Sequence, residues 1–179
     1  NGRTAWTRTT EKADEVVVAN KQSLRNPNLF ALDISALRQS LNNAPKRFTS
    51  TKSNTIVFFP NANGQMESYR IQESSNMDPA LAARFPEIKS YIGQGIDTPT
   101  STIYFSLSPL GLQTMVIKAD QSAEFIEPYT TNLSTYAVYR KADKAISLNR
   151  FECKVIETAY QDLSNSAFAR PNEDDATLR

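Results

Sequence analysis

Apolar positions along this 179-residue chain recur at two spacings, and the change from one to the other lays out its elements. After Asp33, residues Ile34, Leu37 and Leu41 fall at i, i+3 and i+7, one face of a 3.6-residue period. Asp33 supplies the N-cap and Asn42-Asn43-Ala44-Pro45 ends the run, so a short amphipathic helix is predicted over 33–42. A second helix is predicted over 78–85, with Asp78 as N-cap, Pro79 in its first turn, Leu81 and Phe85 as its apolar face, and Pro86 as its stop. Between them, the β-prone run 55–59 meets the turn residues Pro60-Asn61-Ala62-Asn63-Gly64, and 66–72 returns with Tyr69 and Ile71 on one face. That is a β-hairpin pattern.

Five further strands are predicted at 88–92, 102–107, 112–118, 123–126 and 135–140. Thr98-Pro99, Ser108-Pro109-Leu110-Gly111 and Ala119-Asp120 separate them. Spacing of this kind is the pattern of an antiparallel domain, so the predicted class is mainly β (α+β): an antiparallel sheet or sandwich with two short helices. In 112–118, Leu112, Thr114, Val116 and Lys118 alternate with Gln113, Met115 and Ile117, so neither face is wholly polar and the strand is expected to be central. Residues 1–29 read as an N-terminal arm or edge strand, with Trp6 as the one large apolar group and Val16-Val17-Val18 as a β-branched run. The domain is expected to span 30–158, ending in a last strand over 151–156. Residues 159–179 are too polar to offset the entropy of ordering them and read as an extended leash, the expected place of first proteolysis.

Composition narrows the function. Twenty Lys and Arg stand against 19 Asp and Glu, so no global field draws the chain to nucleic acid or an anionic membrane, and neither is an expected partner. No run of some 18 apolar residues is present to span a bilayer. The sequence has no histidine, which removes Ser-His-Asp and Cys-His nucleophile pairs, and its single cysteine, Cys153, has no partner for an internal disulfide. Gly93-Gln94-Gly95 continues as Ile96-Asp97-Thr98 rather than to a third glycine, and no P-loop motif occurs. The expectation is a chain that is not an enzyme. The abundance of Ser, Thr and Asn points to export. The opening Asn1-Gly2-Arg3 lacks an initiator Met and an apolar signal core, as if a preceding segment had been removed.

Four stretches in a fixed order carry a family resemblance: Phe59-Pro60-Asn61-Ala62-Asn63-Gly64; the run 77–95 beginning Met77-Asp78-Pro79 and ending Gly93-Gln94-Gly95; Phe125-Ile126-Glu127-Pro128-Tyr129; and Tyr136-Ala137-Val138-Tyr139-Arg140. Over residues 30–179 the chain resembles the N-terminal propeptide of secreted reprolysin-like zinc metalloproteases from Bacteroidetes-type bacteria. In such precursors a stretch similar to Asp174-Asp175-Ala176-Thr177-Leu178-Arg179 leads into the mature enzyme. The resemblance implies a secreted, non-catalytic propeptide that helps its protease fold and keeps it latent. Its partner would be the cognate catalytic domain, and it would need no cofactor of its own beyond that enzyme's zinc.

Within that reading, Cys153 is the first candidate for the group that silences the enzyme. A thiolate binds zinc at about 2.3 Å and can take the position a catalytic site leaves open for water. The 26 residues from Cys153 to the chain end let it reach a neighbouring cleft while Arg179 reaches a cleavage site. The bland alternative is a small buried hydrophobe. Asp97 is the second candidate, since carboxylates also bind zinc, against an ordinary role capping a turn built from Gly93, Gly95 and Pro99. Arg179 is the expected maturation junction and Arg170 the alternative, disfavoured by the Pro171 that follows it. The pairs Glu124/Glu127 and Asp174/Asp175 are expected on a solvated strand and in the leash. Asn132-Leu133-Ser134 fits a glycosylation sequon. A different class stays open: a stand-alone extracellular β-sandwich module binding a glycan or protein partner through Tyr91, Tyr104 or Tyr129.

Overall fold

In a computed structural model of the chain, residues 4–143 are described, apart from 12, 13, 22, 23, 25, 26, 50, 51 and 76. Nine strands form a single antiparallel sheet: β1 (Trp6–Arg8), β2 (Asn28–Leu32), β3 (Ile56–Pro60), β4 (Met66–Glu73), β5 (Lys89–Gly95), β6 (Thr102–Ser108), β7 (Gly111–Ile117), β8 (Ala123–Pro128) and β9 (Thr135–Arg140). Their order is β1-β2-β9-β8-β7-β6-β5-β4-β3, a seven-strand meander to which β2 and then β1 are added beside β9. The expected choice between sheet and sandwich thus resolves to one sheet, with β7 at its middle. Residues 6–8 take the edge-strand form of the two expected for the N-terminal segment. The same compact unit runs from Asn1 to Ala145, and the residues expected as a last strand (151–156) and as the leash (159–179) lie outside the described residues.

The helices form where their caps place them. Asp33 accepts the Ala36 N–H at 2.9 Å to start α1 (Ile34–Leu41), whose Leu37 and Leu41 are buried in the core. Asp78 accepts the Ala80 N–H at 2.9 Å to start α2 (Pro79–Arg84). Here the apolar face does not find the core: Leu81 and Phe85 are 42% and 39% exposed. β4 and β5 are already paired up to Glu73 and Tyr91, so the connection holding α2 stands off the end of the sheet.

Side chains alternate across the sheet, and the inward set curls it. Trp6 on β1 and Phe59 on β3 belong to the two outermost strands, yet their rings lie 6.1 Å apart. Around them pack Phe30, Tyr69, Tyr91, Phe105 and Tyr136, with Tyr136 edge-on to Trp6 at 5.7 Å. Gly93 and Gly95, expected in a turn, instead end strand β5. A Cβ on Gly93 would sit 2.5 Å from Ile71 Cδ1, and one on Gly95 would sit 2.3 Å from the Thr98 carbonyl oxygen, so both positions need the bare backbone.

A polar seam closes one end of this curled sheet. The β3–β4 turn is held to distant strands: the Asn28 side chain donates to the Ala62 carbonyl at 2.7 Å, the Ala62 N–H donates to Glu124 at 3.0 Å, and Arg140 bonds Asn63. Beside it Glu67 accepts from Asn61 at 2.9 Å, from the Tyr69 hydroxyl at 2.6 Å and from Lys118 at 2.7 Å. Glu124 is only 7% exposed, which corrects the solvated strand expected for the Glu124/Glu127 pair. It shares the inward face of β8 with the fully buried Ile126, and the turn folds over it.

Candidate partner-binding face

The outer face of the sheet holds the arrangement that the alternation alone does not reveal. Register places Ile92 opposite Tyr104, Tyr104 opposite Met115, Met115 opposite Phe125 and Phe125 opposite Tyr139. These five apolar side chains form one row across β5 to β9, pointing away from the core. Phe125 and Tyr139 stack at 5.6 Å. The β9 end of the row is covered by the chain itself. Val17 bridges to Thr130, and Val17 and Leu24 pack with Tyr129, Ala137, Tyr139, Leu29 and Phe125. Lys21 pairs with Glu127 and lies over the Tyr139 ring at 5.5 Å, while the Tyr139 hydroxyl donates to Glu127 at 2.7 Å.

The other end of the row is open. A groove of about 430 Å3 runs over it, with Tyr104, Met115 and Phe125 on its floor and Arg47 on its rim. Tyr104 and Met115 are 41% and 37% exposed. Arg47 is fixed there because its N–H donates to the Glu73 carbonyl at 2.7 Å, tying the loop after α1 to β4. The next residue, Phe48, is 89% exposed with φ +66°, and the Arg47 guanidinium lies 4.6 Å from its ring centre. A bulky side chain in left-handed backbone, held almost wholly in water, costs free energy and contributes no packing in return.

The residues singled out from sequence fall in different places. Asp97 is exposed in the β5–β6 turn, where one carboxylate oxygen accepts from the Ser68 hydroxyl at 2.6 Å and from its N–H at 3.1 Å. Those two donors, hydroxyl first, hold its carboxyl below the usual carboxylate range. It ties the turn to β4, the capping role, and sits apart from the groove. Tyr91 and Tyr129 are 5% and 8% exposed, so of the three tyrosines only Tyr104 presents its ring to solvent. Burial, with Glu73 adding to it, pushes the Tyr91 hydroxyl up to about 12. Asn132 is exposed, and its side-chain oxygen accepts from Thr130, from the Ser134 N–H and from the Ser134 hydroxyl. Cys153, Arg170, Arg179 and the Asp174/Asp175 pair lie outside the described residues.

Among the described residues no three His, Cys, Asp or Glu side chains converge as a metal site, and no helix is long and apolar enough to cross a membrane. Sequence reasoning missed Arg47, Phe48, Ile92, Met115 and Phe125. For Phe48 a signal was present, an isolated aromatic among polar loop residues. The chain matches no protein-family model, no curated protein and no solved structure, so its resemblance to protease propeptides rests on the residues that carry it.

Proposed function

We propose that this chain is the inhibitory and folding-assisting propeptide of a secreted zinc metalloprotease, and that it works by binding rather than by catalysis. The observation that supports this reading is the open groove floored by Tyr104, Met115 and Phe125, with the solvent-held Phe48 next in sequence to its rim residue Arg47, a face of the kind another polypeptide can cover. The resemblance over residues 30–179 supplies the identity of that polypeptide, the cognate catalytic domain. In this reading the β domain lies against the enzyme while the segment after it carries Cys153 to the zinc. Sulfur ligation by Cys153 would take the position of the water that attacks the substrate and would leave the zymogen without a nucleophile. Cleavage at Arg179, or at Arg170, then separates the two. Asp97 is the weaker candidate for the zinc ligand, because the oxygen facing Ser68 is already engaged by two donors.

The test adds purified wild-type and Cys153→Ser chains to the mature protease and measures residual peptidase activity. The expected result is inhibition by the wild type, weakened by the substitution. Equal inhibition by both removes the cysteine from the mechanism, and no inhibition by either removes the propeptide reading. Tyr104, exposed on the groove floor, favours one further reading, an extracellular module that binds a glycan or a protein.

A further inference from the structure

The geometry points to the chemistry of the occupant: the outer-face groove takes an extended polypeptide segment that carries a carboxylate between apolar side chains. This rests on the reading that the domain works by covering a partner, and it specifies which face does so and what the partner must present.

The covered half of the apolar row shows how this surface is used. There the occupant is the chain's own segment, held by a short antiparallel ladder in which Val18 N–H donates to the Tyr129 carbonyl and Thr131 N–H to the Val16 carbonyl, each at 2.9 Å. Val17 and Leu24 cover the rings, and the half-buried Glu127 is met by the buried Lys21. The open half continues the same row, so an occupant there extends an interface the molecule already makes.

The sign of the charge is reversed in the open half. Arg47 borders the groove and also an adjoining depression of about 400 Å3, where Lys52 and Arg70 stand beside Ile92. Two carboxylates lie close by: Glu127, which also lines the groove at its covered end, is neutralised by Lys21, and Glu73 lies 3.7 Å from Lys89. A segment lying on Ile92, Tyr104 and Met115 therefore meets cations, and it needs a carboxylate where the covered half needed a lysine. The row from Gln72 on β4 to Phe125 on β8 crosses four strand spacings, about 19 Å, the length of about six extended residues.

Strands β4 to β8 are hydrogen-bonded on both sides, so the floor offers no free edge and recognition falls to side chains. That floor mixes Tyr, Met and Phe, with Ile92 in the adjoining depression, a surface for apolar side chains more than a single flat ring on which a sugar stacks. Phe48, standing clear of the loop, completes the surface by entering a pocket on the partner.

The test selects a random heptapeptide display library on the full chain, with counter-selection on an Arg47→Glu, Tyr104→Ser double variant. Both side chains are exposed, so the variant is expected to keep the wild-type melting curve. The expected pool alternates Asp or Glu with aromatic and aliphatic residues. Its best member, measured by fluorescence polarisation, should lose about tenfold or more in affinity to Arg47→Glu, with recovery when the peptide's acid is replaced by Lys. A pool rich in basic residues, or one that binds the double variant equally, overturns the proposal. So does recovery of no peptide, or binding of oligosaccharides on a glycan array that depends on Tyr104. A chain that inhibits the protease but selects no acidic peptide sinks this inference and leaves the propeptide reading standing.

Discussion

Lys118→Met tests whether the polar seam holds the curled sheet closed. Lys118 Nζ donates to both oxygens of Glu67, at 2.8 and 2.7 Å, and lies 3.9 Å from Glu124. The two side chains of the pair are 19% and 20% exposed, too enclosed for the interaction to be dismissed as a surface ion pair and too open to count as fully desolvated. Hydrogen bonds to charged groups contribute about 1.5–3 kcal/mol, and partial exposure places this one near the lower end. Glu67 keeps its donors Asn61 and Tyr69 in the variant, so no carboxylate is orphaned. The expected loss is about 1.5 kcal/mol, a fall of about 5 °C in melting temperature.

Glu67→Gln adds a pH signature. Burial alone would raise the Glu67 carboxyl, but donors from Asn61, Lys118 and Tyr69 outweigh it and hold the group below 4.5. A depressed folded-state pKa means that the unfolded chain binds more protons in that interval. The contribution is therefore complete above 4.5 and is lost as pH falls through the folded value. Gln does not titrate, so the stability gap between wild type and Glu67→Gln should be wide near about pH 7 and narrow by about pH 3. Urea unfolding followed by the fluorescence of Trp6, the single tryptophan and a ring neighbour of Phe59 across the seam, reads the gap. A gap of equal size at both pH values, or a Lys118→Met protein as stable as wild type, would refute the reasoning.

Three other substitutions probe different parts of the argument. Gly95→Ala places a methyl 2.3 Å from the Thr98 carbonyl oxygen and should cost about 2–3 kcal/mol by urea denaturation; a cost under about 0.5 kcal/mol would mean the β5–β6 turn shifts freely. Phe48→Gly removes an 89% exposed side chain lying under the Arg47 guanidinium and relieves a left-handed backbone, so stability should hold steady or rise by up to about 1 kcal/mol while, under the proposed propeptide reading, inhibition of the protease would weaken. Destabilisation with unchanged inhibition would place Phe48 in the fold and not in the interface. Tyr136→Phe removes the hydroxyl that accepts the Leu112 N–H at 3.3 Å deep in the core, and should cost about 1 kcal/mol; hydrogen exchange at the Leu112 amide should quicken with it, and an unchanged rate would count against that bond.

Local signals were legible in the sequence because their causes are local. Asp33 and Asp78 cap the helices they were expected to cap, each satisfying an N–H within three residues. Gly111, with φ +92°, marks the β6–β7 turn where Ser108-Pro109-Leu110-Gly111 placed it. Long-range causes were not legible. Gly93 and Gly95 read as turn residues because glycine is common in turns, whereas their role is set by Ile71 and Ile103 on neighbouring strands and by the chain folding back at Thr98. Glu124 read as solvated because it is charged. Its burial follows from a turn 62 residues earlier that brings the Ala62 N–H to it.

The same reasoning explains why the candidate face escaped notice. Along β6 the outward positions are Thr102, Tyr104, Ser106 and Ser108, a mostly polar side with one aromatic, and along β7 they are Gln113, Met115 and Ile117, a mixed side that reads as a central strand rather than as a site. A stripe exists only because register sets Tyr104, Met115 and Phe125 in line, and a slip of one residue in any pairing would turn that strand's apolar residue inward and break the row. The inward faces fix that register through Ile103, Phe105, Leu112, Val116 and Ile126, all buried. The core thus determines the outer face as well as the fold. Under the proposed reading, an inward substitution that loosens the pairing of β6 with β7, such as Val116→Ala, should accordingly weaken peptide binding in fluorescence polarisation before it unfolds the domain, although Val116 lies on the opposite face of the sheet from the groove. Unchanged affinity would refute it.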